Sequence, residues 1–290
     1  MISAKNLEDQ YEFTQDRIVL TSKQFFIPGV RMFGHHKMNR AMNSLTWHYH
    51  ENSFEFSMSL KGTFTFSTPE KDYLFSGGDV FVSHPNEIHG TNKTPVALGN
   101  LYWFQLEVSD EDNFLFLKPE AARALIISLN SLSHRVIKTD IKQMLPLLEN
   151  AFRYGQNPKT AQLAAAYLQL FLHLLLIYAN EEPAFISADI QVVLDYIHTH
   201  ITEEIALEHL ASISCLSISQ FKDKFKKQLG IAPRHYINQR KIEHAKILLN
   251  KGLSVTETAM LLHFSTSGYF STVFKKYTLY TPKEYLEKRS

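Results

Sequence analysis

Two histidines one residue apart, His48-Tyr49-His50, sit in a stretch with the alternation of a β-strand. Positions i and i+2 of a strand point to one face, so the two imidazoles share it. Glu55 follows five residues after His50, and His89 comes later in a turn-rich stretch. Three neutral imidazoles and one carboxylate, where a fold gathers them, are a donor set for zinc, iron, manganese or nickel. Trp47, Tyr49, Tyr102, Trp103 and Phe104 offer stacking surface for a sugar or another planar-faced ligand. Alternation lets only some of them face a pocket. Neither a glycine-rich phosphate loop nor a nucleophile motif stands out, so these residues point to binding rather than catalysis.

A second group of residues suits nucleic acid. SQFKDKFKKQLGIAPRHY, residues 219–236, aligns with GYFSTVFKKYTLYTPKEY, residues 268–285, at a shift of 49. Phe221 pairs with Phe270, Phe225 with Phe274, Lys226-Lys227 with Lys275-Lys276, Pro233 with Pro282 and Tyr236 with Tyr285. A short helix pattern and a turn precede each copy, so the unit is helix, turn, helix, used twice. Phe221 and Phe225 share one helix face and can anchor it on a small core. The opposite face presents Ser219, Gln220, Lys222 and Asp223. A helix about 10–12 Å wide enters the DNA major groove, where such side chains reach base edges. Lys224, Lys226 and Lys227 are placed for phosphates. The connecting segment, residues 233–250, which begins at the end of the first copy, spans about 27 Å as a helix. That is close to the roughly 34 Å of one DNA turn.

The elements that must position these groups differ along the chain. Residues 1–110 read as short strands: LTWHYH, FEFSMSL, TFTFS, DVFVS and LYWFQLEV, divided by Gly62, Gly77-Gly78, Pro85-Asn86 and Gly99-Asn100. Such spacing predicts a sandwich, jelly roll or small barrel. From Lys118-Pro119 the pattern turns helical, with runs to about residue 132, over 139–154, and from an Asn157 N-cap with Pro158. The third run is uncharged from Thr160 to Asn180, long enough for a membrane span. Gln162, Gln169 and His173 interrupt it, and no basic cluster flanks it. Leu163, Leu170 and Ile177 recur every seven residues, which predicts a helix packed between the β-domain and a partner subunit. Glu181-Glu182-Pro183-Ala184 reads as a linker. Beyond it lie short amphipathic helices. Ser217…Gln220 and Ser254…Glu257 have the form of capping boxes, and Thr281-Pro282 opens a last helix.

The composition is globular, with 290 residues, 44% hydrophobic and 20% charged. Residues 1–183 carry 16 basic against 19 acidic side chains, and residues 184–290 carry 14 against 10. A basic end behind an acidic front fits a nucleic-acid-binding end. One cysteine, Cys215, excludes an intramolecular disulfide and is expected as a small buried residue in a reducing compartment. The N-terminus carries no apolar signal-like stretch.

Residues 188–288, above all SISQFKDKFKKQLGIAPRHYINQRKIEHAKILL and SVTETAMLLHFSTSGYFSTVFKKYTLYTPKEY, resemble the AraC/XylS transcription regulators. The resemblance implies a DNA-binding domain of two helix-turn-helix motifs on a central helix. Carried over by position, the first recognition helix uses Ser219, Gln220, Lys222 and Asp223, and the second uses Ser267, Gly268, Ser271 and Thr272. Lys226, Lys227, Lys275, Lys276 and Arg240 are the expected phosphate contacts. Two positions depart from the family pattern, His263 before Phe264 and Leu279 after the second recognition helix, where glycine is usual. A left-handed cap is costly for leucine, so that helix is expected to end differently.

His48-x-His50-x4-Glu55-x6-Gly62, with Gly78, Pro85 and His89, resembles the cupin pattern, in which such residues converge inside a β-barrel. The second half of the pattern is looser, and Met42 stands where a glycine is usual. Regulators of the AraC type commonly carry such a sensor in front.

The expectation is an α+β multi-domain chain. A cupin-like β-barrel over 1–115 binds an effector, a helical dimerisation and linker segment covers 116–183, and an all-α tandem helix-turn-helix domain covers 184–290. The effector site draws on His48, His50, Glu55, His89, Trp47, Tyr49 and Trp103, with the first four as ligands should a divalent metal bind. No other cofactor is expected. The chain is expected as a cytoplasmic, homodimeric, non-enzymatic regulator, an activator working with RNA polymerase on double-stranded DNA, under a small-molecule effector such as a sugar. No membrane association is expected. A metal-binding cupin, sensor or enzyme, fused to a DNA reader is the alternative.

Overall fold

The computed structural model describes residues 3–181 and 186–288. It falls into two compact units, residues 1–38 with 44–183, and residues 39–43 with 184–290. The linker reading at 181–184 lies, apart from Glu181, outside the described residues.

The first unit opens with β1 (Lys5–Asn6), β2 (Glu12–Phe13), β3 (Arg17–Thr21), β4 (Val30–Met38), β5 (His48–Tyr49), β6 (Ser53–Lys61), β7 (Thr63–Ser67), β8 (Asp72–Ser76), β9 (Val80–Ser83) and β10 (Gly99–Glu107). Then come α1 (Pro119–Asn130), β11 (Val136–Ile137), α2 (Ile141–Tyr154) and, after a 3-10 turn at Pro158–Thr160, α3 (Ala161–Asn180). Seven strands form one antiparallel sheet in the order β11-β9-β6-β10-β4-β3-β2. β7 and β8 form a hairpin, and β1 pairs in parallel with β5.

The period of two decides which residues meet. Phe54, Phe56 and Met58 of β6, with Tyr102, Phe104 and Leu106 of β10, share one core with Leu125, Met144, Leu148, Leu168, Phe171 and Leu172 of the helices. The alternate residues face the other way. There Leu101 and Trp103 join Phe64, Phe66, Phe75 and Phe81 in a second core. Trp103 fits because its partner across the sheet is Gly34, where an added Cβ would stand 2.2 Å from the indole. α1, α2 and α3 therefore complete the core of the sheet unit.

α3 is long and apolar enough to cross a membrane by length and composition. Its Ala164, Ala165, Leu168, Phe171, Leu172 and Leu175 are buried in the shared core. Leu163, Leu170 and Ile177 are exposed.

The second unit contains α4 (Ala188–Thr199), α5 (Leu207–Ile213), α6 (Ile218–Leu229), α7 (Pro233–Asn250), α8 (Val255–Leu261), α9 (Ser267–Thr278) and α10 (Pro282–Glu287). The capping boxes at Ser217, Ser254 and Thr281 are all formed. α4–α6 close on Ile190, Val193, Ile197, Phe221 and Phe225, and α8–α9 close with α7 on Ile242, Ala245, Leu249, Phe270 and Phe274.

Two expectations are corrected here. Leu279 does take the left-handed cap, at φ 78, and its N–H donates to the Lys275 carbonyl just as Gly230 closes α6 onto Lys226. The repeated geometry overrides the local cost of a Cβ. Cys215 is exposed, not buried, and sits at φ 55 in the turn after α5. His263 holds the same place after α8 at φ 53.

Candidate metal centre and nucleic-acid interface

β5, the β6 strand and the residues before the 90s loop bring His48, His50, Glu55 and His89 together. His48 and His89 exchange backbone hydrogen bonds, which fixes the third histidine beside the first two. One ring nitrogen from each of the three lies within 4.8 Å of the others, and all three residues are buried. His50 Nε2 is 2.9 Å from Glu55 Oε2, and His89 Nε2 is 4.0 Å from Glu55 Oε1.

The other ring nitrogens are all engaged. His48 Nδ1 bonds the Thr46 carbonyl at 2.7 Å, His50 Nδ1 the Leu7 carbonyl at 3.1 Å, and His89 Nδ1 the Glu87 carbonyl at 2.9 Å. Each Nδ1 therefore carries a proton, which leaves Nε2 as the ligating atom of each ring, with that of His50 already facing the Glu55 carboxylate. Carbonyl-held imidazoles are the usual outer support of a metal site. His89 Nε2 is buried without a hydrogen-bond partner. The cluster has the donor set, the tautomers and the orphaned atom that a divalent transition metal fits.

Electrostatics agree. Burial, with His89 nearby, lowers the pKa of His48 to about 4, and burial lowers that of His89. Burial works against charge on His50, yet the Glu55 carboxylate and its hydrogen bond outweigh it and raise the pKa. Burial would raise Glu55, but His50 and the other two imidazoles hold it well below the usual carboxylate range.

Two neighbours were not anticipated. Gln105 Nε2 lies 3.4 Å from Glu55 Oε2 and 3.3 Å from His50 Nε2, and Ser57 Oγ lies 3.4 Å from Glu55 Oε1. Both share the sheet face of Glu55, and the alternation of FEFSMSL and LYWFQLEV carried that signal. Trp47 and Tyr49 are half-buried and alternate away from His48 and His50, so the structure does not bring them to the cluster. Trp103 is buried in the second core and donates its indole N–H to His36 Nε2 at 3.1 Å. Arg17 Nε also donates to His36 Nε2, and burial with Arg17 lowers that histidine to about 3. The N-terminal residues run beside the cluster, with Leu7 on Tyr49 and His50 and with Glu8 ion-paired to Arg31.

In the second unit, Phe221 and Phe225 are fully buried and meet edge to face at 5.5 Å. Each buried ring contributes about 1.5–3 kcal/mol to holding α6 in place. Ser219, Gln220, Lys222, Asp223, Lys226 and Lys227 are exposed on the remaining surface. The Gln220 amide oxygen accepts from Ser217, so part of that side chain is committed to the cap. Lys224 is tied instead to Asp189 of α4 at 2.7 Å, which takes it out of the expected phosphate set. On α9, Gly268, Thr272, Lys275 and Lys276 are exposed, and Ser267 and Ser271 are half-buried. The hydroxyls of Ser271 and Thr272 bond carbonyls of their own helix. Tyr269, 52% exposed, is a further surface side chain of this helix that the sequence reading passed over. Arg240 is half-buried on α7.

Residues 210–288 match the family model of a helix-turn-helix domain. The C-terminal unit carries a helix-turn-helix domain over residues 210–288. The chain is 25% identical over 224 residues to an uncharacterized HTH-type transcriptional regulator of Staphylococcus aureus, covering 72% of this chain and 30% of that protein. It is 24% identical over 224 residues to the HTH-type transcriptional activator RhaS of Escherichia coli, covering 75% and 79%. Among solved structures, the C-terminal domain of AraT, a response regulator from Geobacillus stearothermophilus, is 29% identical, with 37% and 89% covered and a TM-score of 0.35. The chain spans less than a third of the length of the Staphylococcus aureus relatives it matches. These curated relatives are named as transcriptional regulators.

Proposed function

We propose that this protein is a sequence-specific DNA-binding transcription regulator whose N-terminal unit is a cupin-like sensor. The observation that carries the first half is the duplicated reader. α6 and α9 each stand on a buried pair of phenylalanines, with Lys222, Lys226 and Lys227, or Lys275 and Lys276, left at the surface. Two such helices on one central helix suit two successive major-groove contacts. The resemblance to AraC-type regulators adds activation through RNA polymerase, a homodimer and a cytoplasmic setting to this reading, and one relative named above is itself a transcriptional activator.

The sensor reading rests on the buried cluster of His48, His50, His89 and Glu55. It favours a divalent metal, alone or together with an organic effector, over a bare sugar site, since three imidazoles held at Nδ1 by carbonyls converge there beside the Glu55 carboxylate. A bound metal would supply positive charge at the centre of the sheet face. The protein's own part is to hold the imidazoles by carbonyls and the carboxylate by Ser57 and Gln105. Regulation then follows from ligand-dependent populations of DNA-competent states.

The test is selection of duplexes from a randomised pool by the full chain, with and without zinc, manganese, iron or nickel. The expected result is enrichment of a defined sequence bound at nanomolar concentration, with affinity falling steeply as salt rises. A chain that enriches no sequence under any of these conditions is not such a regulator.

A further inference from the structure

The two halves of the helix-turn-helix unit are entered by their preceding helices in the same way. Ile190, Val193 and Ile197 of α4 bury in the first core, and Ile242, Ala245 and Leu249 of α7 bury at the same spacing in the second. The residue just before each triad is charged: Asp189 in one half, Lys241 in the other. Asp189 forms its ion pair with Lys224 of recognition helix α6, and both partners are partly exposed.

Lys241 is different. It is only 7% exposed, and its ammonium donates at 2.6 Å to the carbonyl of Leu262, the residue that caps α8. The same nitrogen stands 5.6 Å from the ring centre of Phe264, and that ring packs 5.1 Å from Phe270 of α9. Helix ends leave carbonyls without partners, and water or a small side chain commonly serves them. At the first turn Ser214 occupies the place of Leu262, and its own hydroxyl bonds the Ala211 carbonyl. Burying an ammonium is far more costly than burying a hydroxyl. The second turn nevertheless uses a lysine that reaches across from the helix joining the two readers. Glu204, ahead of α5 in the first half, is the charged group whose field reaches it.

We propose that Lys241 is a positioning residue that fixes the second recognition helix, α9, against the connecting helix α7, and so sets the spacing at which the two readers meet DNA. The inference rests on the DNA-binding reading above. Its geometry runs through the turn: ammonium to Leu262, the left-handed step at His263, Phe264 against Phe270, and then α9.

The experiment takes the duplex enriched by the wild-type full chain and footprints it with wild type, Lys241→Met and Lys241→Arg. Lys241→Met is expected to shorten the protected segment to one half and to weaken binding to the whole duplex by roughly tenfold. Binding to a duplex trimmed to the retained half should be unchanged, and Lys241→Arg should restore the full footprint. Should Lys241→Met not fold, Phe264→Leu, which keeps the core filled and removes the ring, must shorten the same half. An unchanged footprint, or equal weakening on whole and trimmed duplexes, overturns the inference while leaving the DNA-binding reading intact. A wild-type chain that enriches no duplex overturns both.

Discussion

His50 and Glu55 face each other across the inner surface of the sheet, Nε2 to Oε2 at 2.9 Å, while the other nitrogen of the same ring is held by the Leu7 carbonyl. A neutral imidazole with its proton on Nδ1 would set two lone pairs against each other at this distance. Only a second proton or a cation between the two atoms makes the contact favourable.

The full chain should therefore take up one zinc, manganese, iron or nickel ion. His89→Ala should abolish stoichiometric binding measured by elemental analysis after dialysis. Gln105→Leu, which removes support of the carboxylate rather than a ligand, should weaken affinity by about 10–100-fold. Full stoichiometry retained in His89→Ala would remove the cluster from consideration as a metal site.

The metal-free chain should lose stability in acid. His36 and His48 have folded pKa values of about 3 and about 4, against 6.5 for the free side chain. Between those values the unfolded chain binds the proton that the folded chain refuses, so stability falls as pH falls below about 6.5. Each such group contributes about 1.4 kcal/mol per pH unit in that window. His50 has the opposite sign: its raised pKa adds stability at low pH that fades as pH rises through the folded value. His35, His84 and His89 are also lowered, so the fall dominates. Unfolding midpoints measured in chelator from pH 7 to 5 should decline, and the decline should be shallower in His36→Asn. A flat profile would contradict the burial of these rings.

Much of this was legible in the residues themselves. The alternation in FEFSMSL assigns Phe54, Phe56 and Met58 to one face and Glu55 and Ser57 to the other, and the structure places them so. The caps at Ser217, Ser254 and Thr281 are short-range chemistry, and all three are formed. His89 is another matter. Its place depends on a bridge to His48, 41 residues earlier, and no local pattern encodes that pairing. Leu279 misled because its own conformational preference opposes the left-handed cap that the repeated fold imposes.

Leu279→Gly should therefore stabilise the chain. A leucine at φ 78 carries a cost of about 1–2 kcal/mol that glycine does not. After the extra unfolded-state freedom of glycine is subtracted, a gain of about 1 kcal/mol is expected in urea unfolding of the helix-turn-helix unit. A loss of stability would mean that the leucine side chain contributes packing larger than its backbone strain.

Lys226→Glu and Lys222→Ala should weaken DNA binding and lower the salt slope by about one for each phosphate contact removed. Lys224→Ala should change affinity much less, because its ammonium is already held by Asp189. Equal effects at Lys224 and Lys226 would show that the ion pair opens on DNA.

The exposed face of α3 gives the last prediction. Leu163, Ala166, Leu170, His173 and Ile177 lie on it at alternating steps of three and four. Leu163, Leu170 and Ile177 are 47%, 48% and 54% exposed while the opposite face is buried in the sheet unit's core. A stripe confined to such positions is the narrow seam of a two-helix contact, whereas lipid would favour a broader apolar surface without Gln162, Gln169 and His173. The helix offers no charge to select an oppositely charged partner, so a second copy of the same seam is the matching surface. Leu170→Glu should raise the dimer dissociation constant at least about 100-fold, because a carboxylate would be buried at the centre of the contact. Sedimentation equilibrium of wild type and variant reads this directly. A wild-type chain that stays monomeric at tens of micromolar, yet partitions into detergent micelles, would assign the seam to lipid instead.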